Sequence, residues 1–422
     1  MVFTRGYLQS VQKVAEILKL FASWSGLNAN FEKSEAYFGG VNSALKQHIL
    51  NAIGLKEGSF PFRYLGLPIH PSRLTSTMYD PIVQKVQHLV CSCAVKFLAY
   101  AGKTEVLNSM VFGLENFWCG SLLLPQNVCA IITKLRKQLF WGYQEGQRKL
   151  VFKDWASISS PWSEGGFQIK NLAIWNQANM LKWLWHFVHG CGSIWTDWIR
   201  HDFLANTSIW DLQIHEYHSE SLRNVLTTRE IWVIHCGSRQ KAMDMLDTCT
   251  TKGKFSIGKA YNFLRPRFPT HACYRAVQDP FLLSRHKFTL MLALQRKLAT
   301  ADQFCRRGIS IVNRCCLCKQ HAESPRHLFF QCTYSKAVLS SLFTWMGLQL
   351  RDLQLRSLIL WCHRSKPKKH WRNKWFKCSI AAVTYYLWRE RNYRLFEDKE
   401  RQASVSVFYF YTNHLLLHMM KY

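Results

Sequence analysis

Four residues in the second half of the chain have the types and spacing of a metal site: Cys315, Cys318, His327 and Cys332. Two thiolates in a Cys-x2-Cys turn stand about 3.5–4 Å apart, which suits two corners of a tetrahedral ion. The histidine and the last cysteine would supply the other two corners. Four nitrogen and sulfur ligands without a carboxylate favour zinc in a closed, structural site.

The ligand set has alternatives within the same segment. Cys316 and His321 stand beside the four residues and could replace one of them. Chance is another explanation, because the chain has 15 cysteines and a free cysteine usually packs as a small buried hydrophobe. An odd, irregularly spaced set also indicates reduced thiols rather than a disulfide framework.

The charge of the chain indicates the class of partner. It has 55 lysines and arginines against 26 acids, for a formal net charge of +29. Such an excess attracts polyanions, and we expect RNA, DNA or both as partners. We expect no membrane partner, because no single amphipathic basic helix dominates the charge and no run of eighteen apolar residues could form a transmembrane helix. The N-terminus lacks the apolar core of a signal peptide, so we expect an intracellular protein of nucleus or cytoplasm that is not secreted.

Two basic segments are candidate nucleic-acid contacts. Between Arg364 and Lys377 there are seven lysines and arginines and no acid, interleaved with tryptophans. Cations can neutralise phosphates while indole rings stack on bases. The alternative is a helix with a solvated basic side and tryptophans facing a core. The candidates from these segments are Lys134, Arg136 and Lys137, and then Lys368, Lys369, Trp371, Arg372 and Trp375.

Catalytic patterns for phosphodiester chemistry are missing from the sequence. Such chemistry needs clustered carboxylates that hold divalent metals, yet the chain contains no Asp-Asp pair. Its one adjacent acidic pair is Glu397-Asp398, in a charged stretch near the C-terminus. Asp244 and Asp247 stand three positions apart, a spacing that is typical of the solvated face of a helix. We therefore predict no catalytic residue and a basic, zinc-containing binding protein.

The apolar pattern predicts a mainly α fold with small β elements. Predicted helices end at Ser25-Gly26 or cover residues 79–93, 106–114, 131–141, 175–188, 337–346 and 380–391. Short strands are predicted at 36–38 and at 62–67, the second stopped by Pro68. Residues 200–250 have weak periodicity and are predicted to be loops with short helices. Residues 405–420 are strongly apolar but too short and interrupted to span a bilayer.

A series of short motifs adds a resemblance to these arguments. The chain contains SGLNANFEKS (25–34), YLGLP (64–68), LAYAGK (98–103), EGGF (164–167) with WNQA (175–178), LATAD (298–302), HLFF (327–330) beside the cysteines, and WRERN (388–392). In this order they resemble the C-terminal half of the reverse transcriptases of plant LINE-type, non-LTR retrotransposons. The resemblance covers nearly the whole chain, and its specificity comes from the order of motifs that are individually weak.

The resemblance implies roles for individual residues and a division of the chain into domains. Lys33 matches a palm lysine near the incoming nucleotide, Tyr64 and Gly66 match a hairpin that grips the primer end, and Lys103 matches the start of a thumb helix. It divides the chain into a palm remnant (1–70), a helical thumb (71–145), a connector (146–250), a zinc-binding domain (251–345) and basic, aromatic C-terminal helices (346–422). The ribonuclease H domain of some relatives has no counterpart.

The resemblance also implies that catalysis is lost. In the family, the catalytic aspartate pair comes immediately before a segment like Met1–Gly6, so we expect a truncated polymerase that is inactive by itself. Cys93, Cys273 and Met291 stand where the family has tryptophan, as expected of a decaying copy.

Three functions follow from these observations. The first is a truncated protein that binds nucleic acid and structural zinc. The second is an RNA-directed DNA polymerase subunit whose catalytic aspartates, and with them Mg²⁺, come from a separate chain such as the missing N-terminal part. The third is a domesticated, zinc-bearing protein-interaction module.

Overall fold

The computed structural model of the protein describes residues 1–92, 98–142, 154–190, 193–309, 312–345, 354–364 and 370–403. This part of the chain is mainly helical and contains three two-stranded sheets. The predicted class, mainly α with small β elements, is confirmed. The chain divides into two compact units, Met1–Ile82 with Gln213–Asn224, and Val83–Leu212 with Val225–Tyr422. The predicted division into five parts stays a prediction.

The first unit is built around two helices that pack on each other, α1 (Leu8–Ser25) and α2 (Ser43–Ile53). As predicted, α1 ends at Gly26, whose φ of 73° is the left-handed conformation that glycine tolerates. Asn42 caps α2 by accepting the N–H of Leu45 at 2.8 Å. Strand β1 (Glu35–Ala36) pairs in parallel with β2 (Lys56–Glu57).

An antiparallel hairpin follows in the same unit, formed by β3 (Phe62–Tyr64) and β4 (Leu67–Ile69). Leu65 and Gly66 make its turn with φ values of 50° and 89°, as a two-residue hairpin turn requires. The prediction that Pro68 stops a strand is wrong, because Pro68 lies within β4 opposite Arg63. A strand with only one neighbour has an unpaired edge, which tolerates a residue that lacks an N–H.

The other helices among the described residues are α3 (Asp80–Cys91), α4 (Tyr100–Val106), α5 (Phe112–Ser121), α6 (Gln126–Trp141), α7 (Trp155–Ser159), α8 (Leu172–His189), α9 (Ile194–Asp202), α10 (Glu220–Cys236), α11 (Arg239–Thr248), α12 (Ile257–Leu264), α13 (Ala272–Val277), α14 (Ser284–Leu294), α15 (Ala301–Arg306), α16 (Thr333–Trp345), α17 (Leu355–Arg364) and α18 (His370–Phe396). Strands β5 (Thr250–Thr251) and β6 (Lys254–Phe255) form a third ladder. A π-helical turn, Leu107–Val111, joins α4 to α5. No helix in the described ranges is both long and apolar enough to cross a bilayer.

Helix α8 lies at the centre of the second unit. It packs against α5 and α12 and buries Leu181, Leu184 and Phe187. Its buried Asn176 accepts the N–H of Leu124 at 2.6 Å and donates to the carbonyl of Leu122 at 2.8 Å. A polar residue of the WNQA motif therefore fixes the chain between α5 and α6, because a buried amide needs its hydrogen-bond partners.

Residues 203–219 are irregular, as predicted, but the prediction of loops with short helices is wrong for residues 220–248. Helix α10 runs for 17 residues and α11 for 10. Apolar periodicity is weak in α10 because its buried face includes Thr228 and Arg229. The guanidinium of Arg229 donates to the carbonyl of Leu212 at 2.8 Å, so a charged residue occupies a core position.

Candidate metal centre and nucleic-acid residues

A tight turn places the first two cysteines of the candidate metal centre. The N–H of Cys315 donates to the carbonyl of His321 at 2.8 Å, and the N–H of Lys319 donates to the carbonyl of Cys315 at 2.8 Å. Lys319 has a φ of 56°, a left-handed conformation that closes the turn. These bonds orient the Cys315 and Cys318 side chains toward one point.

A π-helical turn, His327–Gln331, places the other two residues. His327 begins this turn, and Cys332 follows it directly before helix α16. The N–H of Cys332 donates to the carbonyl of His327 at 2.7 Å. The extra residue in a π turn lets His327 and Cys332, five positions apart, face the same side.

The four side chains meet in one cluster, in which three are buried and Cys318 is half-buried. Their ligand atoms all lie within 4.8 Å of one another. The Sγ atoms of Cys315 and Cys332 are 4.0 Å apart, and Cys318 Sγ is 3.3 Å from His327 Nε2. Distances near 3.5–4 Å are those between neighbouring ligands of a tetrahedral zinc ion. Three sulfurs and one imidazole nitrogen are also the donors that zinc prefers, so the residues present fit that ion.

Backbone N–H groups around the cluster favour the thiolates that zinc binds. Those of Leu317 and Cys318 hydrogen-bond to Cys315, and those of Tyr334 and Ser335 hydrogen-bond to Cys332. The last two belong to the first turn of α16, where N–H groups lack helical partners. The hydrogen bond between the two thiols lowers the pKa of Cys332 and raises the pKa of Cys315. Cys332 is therefore the thiol of this pair that loses its proton more easily.

The two alternative ligands lie outside the cluster of four, although the His321 ring centre is 5.5 Å from that of His327. The Cys316 Sγ lies 3.5 Å from the carbonyl of Arg391, and burial raises the pKa of this thiol to about 11. The His321 side chain is exposed, and its backbone carbonyl, as described, takes part in the turn. The structure groups neither residue with the four.

Helix α18 supports the metal loop from outside. Glu323 and Arg391 are 1% and 2% exposed and form two hydrogen bonds, Nη2 to Oε1 at 2.9 Å and Nε to Oε2 at 3.3 Å. Arg394 donates from Nη1 to the carbonyl of Leu317 at 3.1 Å. Its guanidinium also lies 4.7 Å from the centre of the Tyr334 ring. Two arginines of one helix thus hold both halves of the candidate site.

These supporting residues were not identified from the sequence. Arg391 lies in the WRERN motif, which indicates a helix but not a partner 68 residues away. A usable signal was Glu323, because an acid is uncommon in this basic chain and stands between two ligands.

The first unit exposes three of the predicted nucleic-acid residues, Lys33, Tyr64 and Gly66. Lys33 is exposed at the end of a short 3-10 helix, where its N–H donates to Asn30 Oδ1 at 3.1 Å. Tyr64 is 42% exposed and lies beside Gly66 at the tip of the β3–β4 hairpin. The side chains of Lys33 and Tyr64 are therefore accessible to a nucleic-acid strand.

The predicted residues of α4 and α6 differ in accessibility. Lys134 and Lys137 are exposed, and their spacing places them on one face of α6. Lys103 is half-buried, with Nζ 5.6 Å from the centre of the Tyr100 ring. Arg136 departs from the prediction because it is 1% exposed, forms an ion pair with the equally buried Glu115, and donates to the Lys170 carbonyl at 2.7 Å. Its guanidinium is therefore not available to a phosphate.

The basic segment near the C-terminus is described in part. Lys368 and Lys369 lie outside the described residues, and Trp371 and Arg372 belong to α18 without described side chains. Trp375 is half-buried. Lys377, one of the seven cations, forms a 2.8 Å ion pair with Asp279 and is buried. At least this end of the segment therefore has a packing role.

Comparison with known proteins gives a match around this centre. Residues 255–338 match a protein family described as zinc-binding in reverse transcriptase. All four clustered residues fall inside that match. The segment is related to reverse transcriptases.

A second comparison concerns a curated relative. A protein of Arabidopsis thaliana that is named as a ribonuclease H protein is 22% identical over 130 residues. The alignment covers 31% of this chain and 21% of the relative. The chain thus spans about a fifth of the length of that relative.

Proposed function

We propose that this chain derives from a plant LINE-type, non-LTR retrotransposon and binds RNA or DNA through a zinc-stabilised, basic surface, without carrying out strand synthesis by itself. The Cys315–Cys318–His327–Cys332 cluster inside the segment that matches reverse-transcriptase zinc-binding domains carries this proposal. The relative named for ribonuclease H adds a second link to proteins of nucleic-acid metabolism.

The donor set supports a structural role for the metal. Zinc with four protein ligands keeps no open position for water or substrate, so it stabilises a fold and activates no nucleophile. Binding of structural zinc is worth an apparent ~10–16 kcal/mol in small finger peptides. The ion would therefore fix the loop 315–332 against α18.

The charge supports a polyanionic partner. The net charge of +29 belongs to the whole chain, and Lys33, Lys134 and Lys137 present cations to solvent in the described part. Each lysine that neutralises a phosphate releases a counterion, which drives binding and makes it salt-dependent.

Strand synthesis would need a second source of carboxylates. Across the described ranges, the group with metal-ligand spacing consists of cysteines and a histidine, whereas nucleotide transfer uses Mg²⁺ held by acids. In this proposal such acids, with their Mg²⁺, come from another chain such as an N-terminal polymerase part.

Titration of the purified chain against labelled RNA and DNA strands tests the proposal. Between about 50 and 200 mM salt, log affinity must fall with log salt at roughly 0.7–0.9 per neutralised phosphate. A flat response would favour the protein-interaction module. Incorporation of nucleotides on a primed template by the chain alone would contradict the proposed lack of synthesis.

A further inference from the structure

The second unit contains a cavity that the metal centre does not use. Its volume is about 280 Å³, close to the lower end for small-molecule sites. Five helices line it: α4 with Tyr100, α6 with Trp141, α7 with Ile158, α14 with Phe288 and α18 with Tyr385. Its lining is mostly apolar, and four of these five side chains are aromatic.

Aromatic rings form an ordered stack in the wall of this cavity. The Phe167 and Phe288 rings stack with centroids 4.5 Å apart, and Phe288 stacks on Tyr100 at 5.8 Å with only 6° between their planes. Phe167 is 1% exposed and Phe288 is 7% exposed, whereas Tyr100 is 43% exposed. The stack therefore begins in the core and ends on a ring that solvent can reach.

Among the described residues, two cations belong to the lining and no acid does. Arg285 and Lys297 are exposed, and the Arg285 guanidinium lies 5.5 Å from the centre of the Tyr385 ring. Over the described part of the chain, neither is ion-paired with a carboxylate. The cavity thus combines flat apolar surfaces with positive charge at its exposed edge.

We propose that this cavity receives one unstacked base of a bound single strand, with Tyr100 and Tyr385 contacting the base and Arg285 and Lys297 contacting the flanking phosphates. This inference rests on the proposed nucleic-acid binding and names its substrate class. Bases have apolar faces that stack on aromatic rings irrespective of sequence. The charge argues against an apolar peptide or a neutral lipid as occupant, because neither has negative groups for Arg285 and Lys297 to contact.

The chemistry predicts a preference for single strands. In a duplex, both faces of each base are stacked on neighbours, and extrusion costs a few kcal/mol. A single strand offers its bases at less cost, so the cavity adds affinity for single-stranded RNA or DNA and little for a duplex.

The test compares a thymidine strand of about 12 nucleotides with a strand of equal length in which abasic spacers replace every nucleoside. The wild-type chain should bind the thymidine strand roughly 5- to 150-fold more tightly, the range of one stacked base. Tyr100→Leu or Tyr385→Leu should remove most of that ratio and leave the affinity for the abasic strand unchanged. Tyr100→Phe and Tyr385→Phe keep the aromatic ring, so these variants should retain the affinity ratio.

Controls separate stacking from folding. Tyr217→Leu removes an exposed tyrosine outside the cavity and should leave the ratio unchanged. If a leucine variant fails to fold, photocrosslinking of the wild-type chain to a strand with 5-iodouracil replaces it. Crosslinks at Tyr100, Trp141 or Tyr385 would support the cavity, and crosslinks found only at other sites would overturn it.

The outcomes also separate this inference from the proposed function. Equal binding of the two strands would overturn the base site while phosphate-driven binding stands. Absence of binding to either strand would overturn both.

Discussion

Arg391 of helix α18 and Glu323 of the candidate metal loop form a two-point ion pair, 2.9 and 3.3 Å long, in which both side chains are almost fully buried. Glu323 stands between the ligands Cys318 and His327. Its Oε1 also accepts the N–H of Ala301 at 2.7 Å, at the start of α15. The pair therefore joins three segments, and α18 lies beyond the residues that match the zinc-binding family.

Arg391→Met should destabilise the second unit by about 3–5 kcal/mol, because it leaves the Glu323 carboxylate buried without its counter-charge. The double variant Glu323→Met/Arg391→Met should lose less than the sum of the two single changes. Urea unfolding of the four proteins measures these free energies.

An exposed pair provides the control for this cycle. Arg239 and Asp211 are also joined by two hydrogen bonds, but their side chains are 46% and 50% exposed. Arg239→Met should cost far less than Arg391→Met, because solvent screens an exposed ion pair. Equal losses for Arg391→Met and Arg239→Met would show that α18 does not support the metal loop.

Removal of the metal should loosen the loop region selectively. Chelation of zinc, or Cys318→Ser, should raise the rate of amide hydrogen exchange in residues 312–345 and leave α1 and α2 unchanged, because the ion closes only the first of these regions. Cys305→Ser is the matched control, since Cys305 is half-buried but outside the cluster. Native mass spectrometry should find one zinc per wild-type chain. Unchanged exchange after chelation would count against the zinc assignment.

The cluster of four candidate metal ligands could be predicted from the sequence because its residues are close together in the chain. All four ligands fall within 18 residues, and their types alone select the ion. The end of α1 could also be predicted, because a glycine that follows a helical pattern can adopt the left-handed conformation that ends a helix. In both cases the chemistry depends on near neighbours in the chain.

Pairing across distant segments could not be predicted. The sequence around Arg136 is typical of a solvent-exposed helix, because Lys134 and Lys137 stand beside it. Its partner Glu115 lies on another helix, however, and the ion pair between them is buried in the core. Arg229 likewise breaks the apolar pattern of α10 by packing inward. The stack Tyr100–Phe288–Phe167 combines three segments whose separate aromatic residues indicate only a core.

The exposed lysines of α6 should contribute to the salt dependence of binding. If each contacts one phosphate, Lys134→Gln/Lys137→Gln should reduce the slope of log affinity against log salt by about 1.4 for single strands and 1.8 for duplex DNA. The control Lys241→Gln/Lys254→Gln removes two exposed charges from outside the proposed surface and should change the slope less. Identical slopes for the two double variants would show that α6 is not a specific contact.

Glu164 of the EGGF motif should make stability depend on pH. Arg265 donates to both of its oxygens, at 2.6 and 2.7 Å, and the N–H of Phe268 donates at 3.1 Å. The hydrogen bonds from Arg265, aided by that N–H and opposed by burial, lower the pKa of Glu164 below its ordinary value of 4.5. A depressed pKa stabilises the folded chain above about pH 4.5, and this contribution disappears as the pH falls through the lowered value.

Glu164→Gln should therefore lower the free energy of unfolding by about 1.5–3 kcal/mol at neutral pH, the range for hydrogen bonds to charged groups. The difference from wild type should narrow as the pH falls below about 4.5, because the wild-type carboxylate is then protonated. Urea unfolding at a series of pH values measures this difference. Glu16→Gln, a change at a 70% exposed side chain, should stay close to wild type throughout. A gap between Glu164→Gln and wild type that stays constant with pH would mean that Glu164 stabilises the fold by packing rather than by its charge.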